Sequence, residues 1–295
     1  MKKSVSLLLA GLMLCGALAG CGGSNDSAES TTSTDTESTG TSGAIHVVSR
    51  EDGSGTRGAF VELTGVEDDN GDNTTVEAEI ANRTDAVLTT VAGNEAAIGY
   101  VSLGSLNDTV KAVTVDGVEA TVDNVKSGDY TLSRPFNIAT KGEPTGVAAD
   151  FIGFIMSADG QAIVGEDYIT VNDNAEAFTS DGSSGQITVG GSSSVSPVME
   201  KLIEAYKAVN PNAQIDLQTS DSTSGMTGAM DGTFAIGMAS RELKDEEAAE
   251  LTGTAIALDG IAVVVNPANT VEDLTMDQIR SIYVGETTDW ADVAA

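Results

Sequence analysis

Short apolar runs alternating with amphipathic helical stretches constrain this chain more than any other feature. The runs include 44–49 (AIHVVS), 96–103 (AAIGYVSL), 186–191 (QITVGG), 213–219 (AQIDLQT), 234–240 (FAIGMAS) and 260–266 (GIAVVVN). Between them lie helical signatures. In 196–211 (SPVMEKLIEAYKAVNP), Ser196 can cap and Pro197 suits the first helical position, where its missing N–H costs nothing. Val198, Leu202, Ala205 and Val209 then form one stripe, and Thr275 with Gln278 reads as a capping box. Residues 149–165 are helical around Phe151 to Met156, with a break expected near Asp159-Gly160. This alternation predicts an α/β architecture. It falls into two blocks, 44–178 and 186–295, separated by the polar stretch 179–185 (TSDGSSG), with no internal repeat. About 250 residues suffice for two lobes.

The N-terminus adds a compartment. Lys2 and Lys3 precede an apolar stretch from Val5 to Ala19, which reads as a secretory signal peptide over 1–20. Its end, Leu18-Ala19-Gly20-Cys21, resembles the lipobox of bacterial lipoproteins, in which cleavage precedes a lipidated cysteine. An ordinary signal peptide that happens to contain a cysteine is the alternative. If Cys21 is acylated and Cys15 leaves with the signal, no disulfide remains, and the core alone must stabilise the fold. Residues 22–43 hold one apolar side chain, Ala28, so 21–43 is expected to be a lipidated tether with a reach of about 25 Å.

The chain carries 14 Lys+Arg against 45 Asp+Glu, a formal charge of −31. Removing Lys2 and Lys3 leaves 12 against 45, or −33. No basic patch exists to displace the counterions of a nucleic acid, so nucleic acid is excluded as a partner. Such acidity also opposes long-range steering of small anions, although it serves solubility. An anion site here must be local, built from backbone N–H groups, hydroxyls and an arginine.

Three strand-to-helix loops have that composition. In 49–56 (SREDGSGT), glycines let the backbone approach a ligand, and Ser54, Gly55 and Thr56 would present N–H groups at a helix start. Arg50 adds a planar fork matched to two oxygens. Residues 190–197 (GGSSSVSP) and 218–226 (QTSDSTSGM) repeat the design. Each alone is also what a capped turn looks like. Three in one exported chain favour a shared site.

The stretches GSSSVSPVMEKLIEAY, IGMASREL, SREDGSGTRGAF and VAGNEAAIGYVSLGSL resemble the signatures of PstS-type phosphate-binding proteins of bacterial ABC phosphate uptake. The resemblance spans nearly all of 44–178 and 186–295. It implies the type II periplasmic-binding-protein fold, two α/β lobes joined by two crossover strands and closing over an oxyanion. It also implies inorganic phosphate as ligand, a membrane ABC permease with its ATPase as partner, and a monomer without cofactor or metal, attached through Cys21 outside the cell membrane. By motif, the resemblance implies that Ser193, Ser194, Ser222, Ser240, Arg50, Ser54, Gly55 and Thr56 bind phosphate, and that Asp52 is placed to orient Arg50. Ser240 stands where many relatives carry an aspartate that accepts the proton of hydrogen phosphate. Discrimination against a sulfate-like oxyanion is therefore less secure by motif, with Asp221 as a substitute acceptor by proximity in sequence.

The motif order differs from the usual family order. The Arg50 loop precedes the serine loop by about 140 residues, and the chain end SIYVGETTDWADVAA runs in relatives into the strand at 44–49. The chain thus reads as a circular permutation, with new ends after Ala295 and before Ala44, and 179–185 joining the old termini. A fragment cut arbitrarily at Ala295 is the duller possibility. On the permuted reading one lobe is 44–130 plus 259–295, the other is 131–258, and crossovers fall near 131–135 and 257–263.

Rival functions are weaker. A phosphatase or serine hydrolase needs a base within reach of the serines, and the single histidine, His46, sits in a strand with a structural reading. No His/Asp/Glu cluster has metal-ligand spacing. A sensor on the same scaffold stays open. Arg134 reads as a hinge or surface residue, and Arg241 as an ion-pair partner of Glu242 and Asp245. Met226, Met230 and Met238 read as core, and Trp290 as carrying no site signal.

Overall fold

The computed structural model describes residues 41–293. The signal peptide over 1–20, Cys21 and nearly all of the tether lie outside the described residues, as do Ala294 and Ala295.

Eight strands form the main path of a curled sheet: β1 (His46–Arg50), β2 (Glu79–Ala81), β3 (Ala97–Ser102), β4 (Ser133–Thr140), β5 (Gly185–Ser192), β6 (Ala213–Ser220), β7 (Ile236–Ala239) and β8 (Thr252–Val265). Their spatial order is β6-β5-β7-β4-β8-β3-β1-β2. One flank, β6-β5-β7, is parallel, and so is the other, β3-β1-β2. Antiparallel β4 and β8 join them. The first part of β8, Thr252–Gly260, pairs with β4, and the remainder, Ile261–Val265, pairs with β3. A register shift between Ala255 and Ala257 interrupts the pairing with β4, and the change of partner at Gly260-Ile261 lets one strand serve both flanks.

Parallel strands covered by helices on both faces are near-continuously apolar, and β3 (AIGYVS) is buried at all six positions. The helices are α1 (Gly55–Leu63), α2 (Thr84–Gly93), α3 (Val147–Ile155), α4 (Ala158–Val164), α5 (Ser196–Val209), α6 (Ser222–Asp231) and α7 (Met276–Tyr283). Two main cores result. One gathers Phe60, Tyr100, Ile279, Tyr283 and Trp290, with Phe60 stacked on Tyr100 at 3.9 Å. The other gathers Phe136, Phe151, Met199, Leu202 and Tyr206. Each large apolar side chain so buried contributes about 1.5–3 kcal/mol. Met226 and Met238 are buried, Met230 packs beside them, and the Trp290 indole donates to the Ala96 carbonyl at 2.9 Å.

Two local expectations shift. α5 begins at Ser196 itself, with Val195 as its cap residue, because the Ser196 hydroxyl bonds Thr219 Oγ1 at 2.8 Å instead of capping. The break after α3 falls at Met156-Ser157, ahead of Asp159-Gly160. There the Ser157 hydroxyl accepts from the Gly160 amide and starts α4. Gly160 marks a close approach, since a Cβ there would collide with the Phe154 carbonyl. The capping box at Thr275 and Gln278 is formed as expected.

The two ends of the described chain lie side by side. Trp290 N–H donates to the Gly43 carbonyl at 3.0 Å, and Ile45 N–H to the Thr288 carbonyl at 2.8 Å. The stretch 179–185, irregular until β5 begins at Gly185, is anchored through Asp150. That carboxylate accepts from Ser180 Oγ at 2.6 Å, Asp181 N–H at 2.9 Å and Tyr206 OH at 2.7 Å.

Candidate functional site

The carboxyl ends of β1, β2, β5, β6 and β7 converge on one crevice, where open α/β sheets offer loop amides and helix N-termini to ligands. β1 ends at Arg50, whose side chain is 2 % exposed. Glu51 takes its fork through Nε and Nη2, both at 2.8 Å. Arg50 Nη2 also donates to Ser193 Oγ at 3.1 Å, and Nη1 to Thr84 Oγ1 at 3.4 Å. Asp52 does not orient Arg50. Its carboxylate faces solvent and accepts from Arg57 at 2.9 Å, because Glu51, adjacent in the chain, already occupies the inner edge of the guanidinium.

Ser54 caps α1 by accepting from the Arg57 amide at 3.3 Å, which leaves its hydroxyl proton free to donate. The first amides of α1, those of Gly55 and Thr56, have no intrahelical acceptor. Thr56 Oγ1 lies 2.8 Å from Ser194 Oγ and accepts from Arg134 Nη2 at 3.1 Å. Ser193 Oγ accepts from Arg50 and lies 3.4 Å from the Thr84 amide. Ser222 Oγ accepts from the Ser240 amide at 3.0 Å, and Ser192 donates to Ser240 Oγ at 3.0 Å. All these hydroxyls are buried.

A single rule runs through this geometry. Guanidinium and amide groups only donate, so a hydroxyl that accepts from one must turn its own proton elsewhere. Thr56, Ser193 and Ser222 are each held this way, so each has a proton to give to a neighbouring hydroxyl (Ser194, Thr84 or Ser240) or to an anion in the crevice. Gly55 permits the approach of the loops, since a Cβ on it would press into Ser222 Oγ and Ser240 Oγ. Beside the hydroxyls opens a cavity of about 360 Å³ lined by Thr84, Ser193, Ser196 and Gly104.

All eight expected ligand residues meet in this crevice. Sequence reasoning missed three neighbours. Thr84 opens α2 after β2, a strand-to-helix loop without the glycines that mark the other three. Glu51 carries no sequence signal that sets it apart from Asp52. From sequence, Arg134 reads as a hinge or surface residue. It does lie on a joining strand, but it is 3 % exposed and faces Asp259, its register partner on β8, at 3.1 Å. Burial and the nearby Arg50 charge pull Arg134 down to about 10 against the opposing pull of Asp259, and burial pushes Asp259 up to about 6.

Other candidates resolve into structure. Arg241 pairs with Glu247 through two bonds of 2.7 and 2.8 Å, not with Glu242 or Asp245, because Glu247 on the following turn presents both oxygens to its fork. Asp221 caps α6 and accepts from the Ser224 amide and hydroxyl, so both its oxygens are engaged. His46 bonds Glu79 at 2.8 Å at the exposed rim. Among the described residues, no group of three His, Cys, Asp or Glu side chains is placed to hold a metal ion.

The PBP superfamily domain matches residues 25–159 and 176–295. The phosphate-binding protein PstS 2 of Streptococcus agalactiae serotype V is 49% identical over 99% of this chain and 98% of its own length. Its counterpart from Streptococcus pneumoniae serotype 4 is 46% identical over 98% of both chains. This chain belongs to the PstS family. The crystal structure of a phosphate ABC transporter's phosphate-binding protein from S. pneumoniae TIGR4 matches with a TM-score of 0.69 at 47% identity. That match covers 85% of this chain and all of the other. The fold is that of the periplasmic binding proteins. Because the streptococcal PstS 2 proteins align end to end, they share the order in which the Arg50 loop precedes the serine loops.

Proposed function

We propose that the protein binds inorganic phosphate outside the membrane and delivers it to an ABC permease and its ATPase. The observation that carries this reading is the crevice that gathers Arg50 with the hydroxyls of Thr56, Ser193 and Ser222, each of which accepts from an N–H group and so keeps its own proton to give. A divalent oxyanion leaves water at low cost only when its oxygens are all hydrogen-bonded. Donors come from loops on both flanks of the sheet, so ligand favours the arrangement in which those loops meet. Ser54, Gly55, Ser194 and Ser240 complete the ligand set, with Thr84 beside them. The names of the PstS relatives support the same ligand.

Lipidation at Cys21 and the tether to Gly43 would hold a monomer at the outer face. The two lobes would be 44–130 plus 259–295 and 131–258. A nucleophilic mechanism has no support in the site, since no imidazole accompanies its serines.

A second reading, a receptor for other tetrahedral oxyanions such as sulfate, draws on Ser240. A hydroxyl does not repel a fully ionised anion as a carboxylate does, and Asp221 is committed to Ser224. Titration calorimetry of residues 22–295 with phosphate and then sulfate separates the two. Phosphate heat without sulfate heat, lost in Arg50→Ala, supports phosphate uptake. Heat from both makes the site a general oxyanion receptor, and silence from a folded sample removes the binding reading.

A further inference from the structure

Five buried side-chain polar atoms among the described residues lack a hydrogen-bond partner: Arg134 Nε and Nη1, Asp259 Oδ2, Tyr168 OH and Ser105 Oγ. They gather behind the crevice. Arg134 and Asp259 face each other across β4 and β8, and Arg134 lies over the Phe136 ring at 5.5 Å. The Phe136 and Tyr168 rings are 5.2 Å apart, and Gly104, next to Ser105, packs directly on the Tyr168 ring. Such a concentration of unmet polar groups needs a cause, because buried polar atoms are otherwise nearly always paired.

Arg134 is the centre of it. Its single aligned hydrogen bond runs to Thr56 Oγ1, a hydroxyl of the anion site. Asp259 lies within ion-pair distance, but its Oδ2 receives no aligned hydrogen bond. Its other oxygen accepts from Ser102 at 3.0 Å, and the Leu103 and Gly104 amides also face it. The groups around Asp259 are thus Arg134 from β4, Ser102 from β3, those amides and the neutral Tyr168 hydroxyl. A buried arginine so loosely compensated is costly to the fold, and Arg50, a second buried guanidinium, repels it. Two guanidiniums thus flank the Thr56, Ser193 and Ser194 hydroxyls, Arg50 held in a two-bond pair by Glu51 and Arg134 only loosely compensated by Asp259.

We propose that Arg134 is the second cation of the anion site, a positioning residue that holds Thr56 as a donor and sets a preference for a dianion over a monoanion. The inference rests on the oxyanion reading above and deepens it. It supplies a selection by charge where Ser240 replaces the proton-accepting carboxylate. A second negative charge on the ligand gains from both guanidiniums, whereas a monoanion gains less from the second.

The test is calorimetry with inorganic phosphate from about pH 6.5 to 8.5, spanning its second ionisation, with Asp259→Asn as the control for Asp259, whose pKa burial raises to about 6. Wild-type affinity should rise with pH. Arg134→Gln should lose about thirtyfold at the alkaline end and clearly less at the acid end, flattening the profile. Arg134→Lys, which keeps the charge, should retain the slope. Asp259→Asn, which removes the partial compensation and keeps the acceptor for Ser102, should bind phosphate more tightly at the alkaline end.

A uniform loss in Arg134→Gln at every pH, or none, overturns the proposal. If that variant does not fold, Asp259→Asn decides alone, and unchanged or weaker binding overturns it. Absence of phosphate heat in the wild type removes the oxyanion reading itself, so the two failures are distinguishable.

Discussion

Substituting Gly55 by alanine separates the closing of the crevice from the stability of the fold. The added Cβ would overlap Ser222 Oγ and lie 2.9 Å from Ser240 Oγ and 3.0 Å from Arg241 Cγ. Ordinary carbon contacts begin near 3.4 Å, so the loops must part by about 1 Å or the serine must turn. Turning Ser222 strips the Ser240 amide of its acceptor, at about 1–3 kcal/mol. Parting the loops loses packing of about the same size. Either route weakens phosphate binding by about 5- to 150-fold. With the loops apart, the added Cβ meets neither serine, and helix α1 itself has nothing to lose. Gly55 does not occupy the left-handed region, and alanine is the better helix former by up to about 1 kcal/mol. Calorimetry with phosphate and a ligand-free thermal melt should therefore move in different directions, with weaker binding at an unchanged or raised Tm. Unaltered affinity would refute the reasoning, and so would a ligand-free Tm that falls by several degrees.

Thr84→Val keeps the shape of the side chain and removes the hydroxyl near Arg50, Ser193 and Ser194, so phosphate affinity should fall about 5- to 15-fold in the same calorimetry, with Tm little changed. Asp150→Asn should cost about 1.5–3 kcal/mol in urea unfolding, because a carboxylate that collects Ser180, Asp181, Tyr206 and Asn210 becomes an amide with one acceptor. Burial raises the pKa of Asp150, but those hydrogen bonds outweigh it and hold it below its ordinary value of 3.8. Its contribution is therefore complete above that value and lost as pH falls toward the folded-state pKa, so the variant should differ from wild type at pH 7 and converge with it in strong acid. Opening the chain within 181–183 and linking Ala295 to Gly43 should give a protein that still folds and binds phosphate, since Gly43 and Trp290 are already hydrogen-bonded neighbours. A near-UV circular dichroism signal lost while the far-UV signal is kept would argue against the permuted reading.

Much of the local structure is written in short stretches. The six apolar runs are strands or parts of strands, and the Thr275 capping box is formed, because such signals act over three or four residues. From sequence, β4 is marked only as a crossover near 131–135, and β8 only from 257 onward. Ser133–Thr140 carries an arginine and a proline and no clean alternation, and the first half of β8 is held by pairing with it.

The same division runs through the site. Arg50, Ser54, Gly55, Thr56 and the serines stand in strand-to-helix loops whose glycines and hydroxyls announce an anion, whatever the rest of the chain does. Which carboxylate holds Arg50 was not legible. Glu51 and Asp52 are adjacent and chemically alike, and only the direction of the chain leaving β1 turns one inward and the other toward solvent. Arg134 shows the limit most plainly. From sequence it is a charged residue before a proline, and nothing local says that β8, more than a hundred residues away, will bury it against Asp259 and under Thr56. Hydrogen-bond propensity and helix capping are local properties, so the sequence alone determined the α/β class and the loops proposed to hold the anion. Burial and charge pairing depend on distant segments meeting, so only the tertiary structure decided which charges stand behind them.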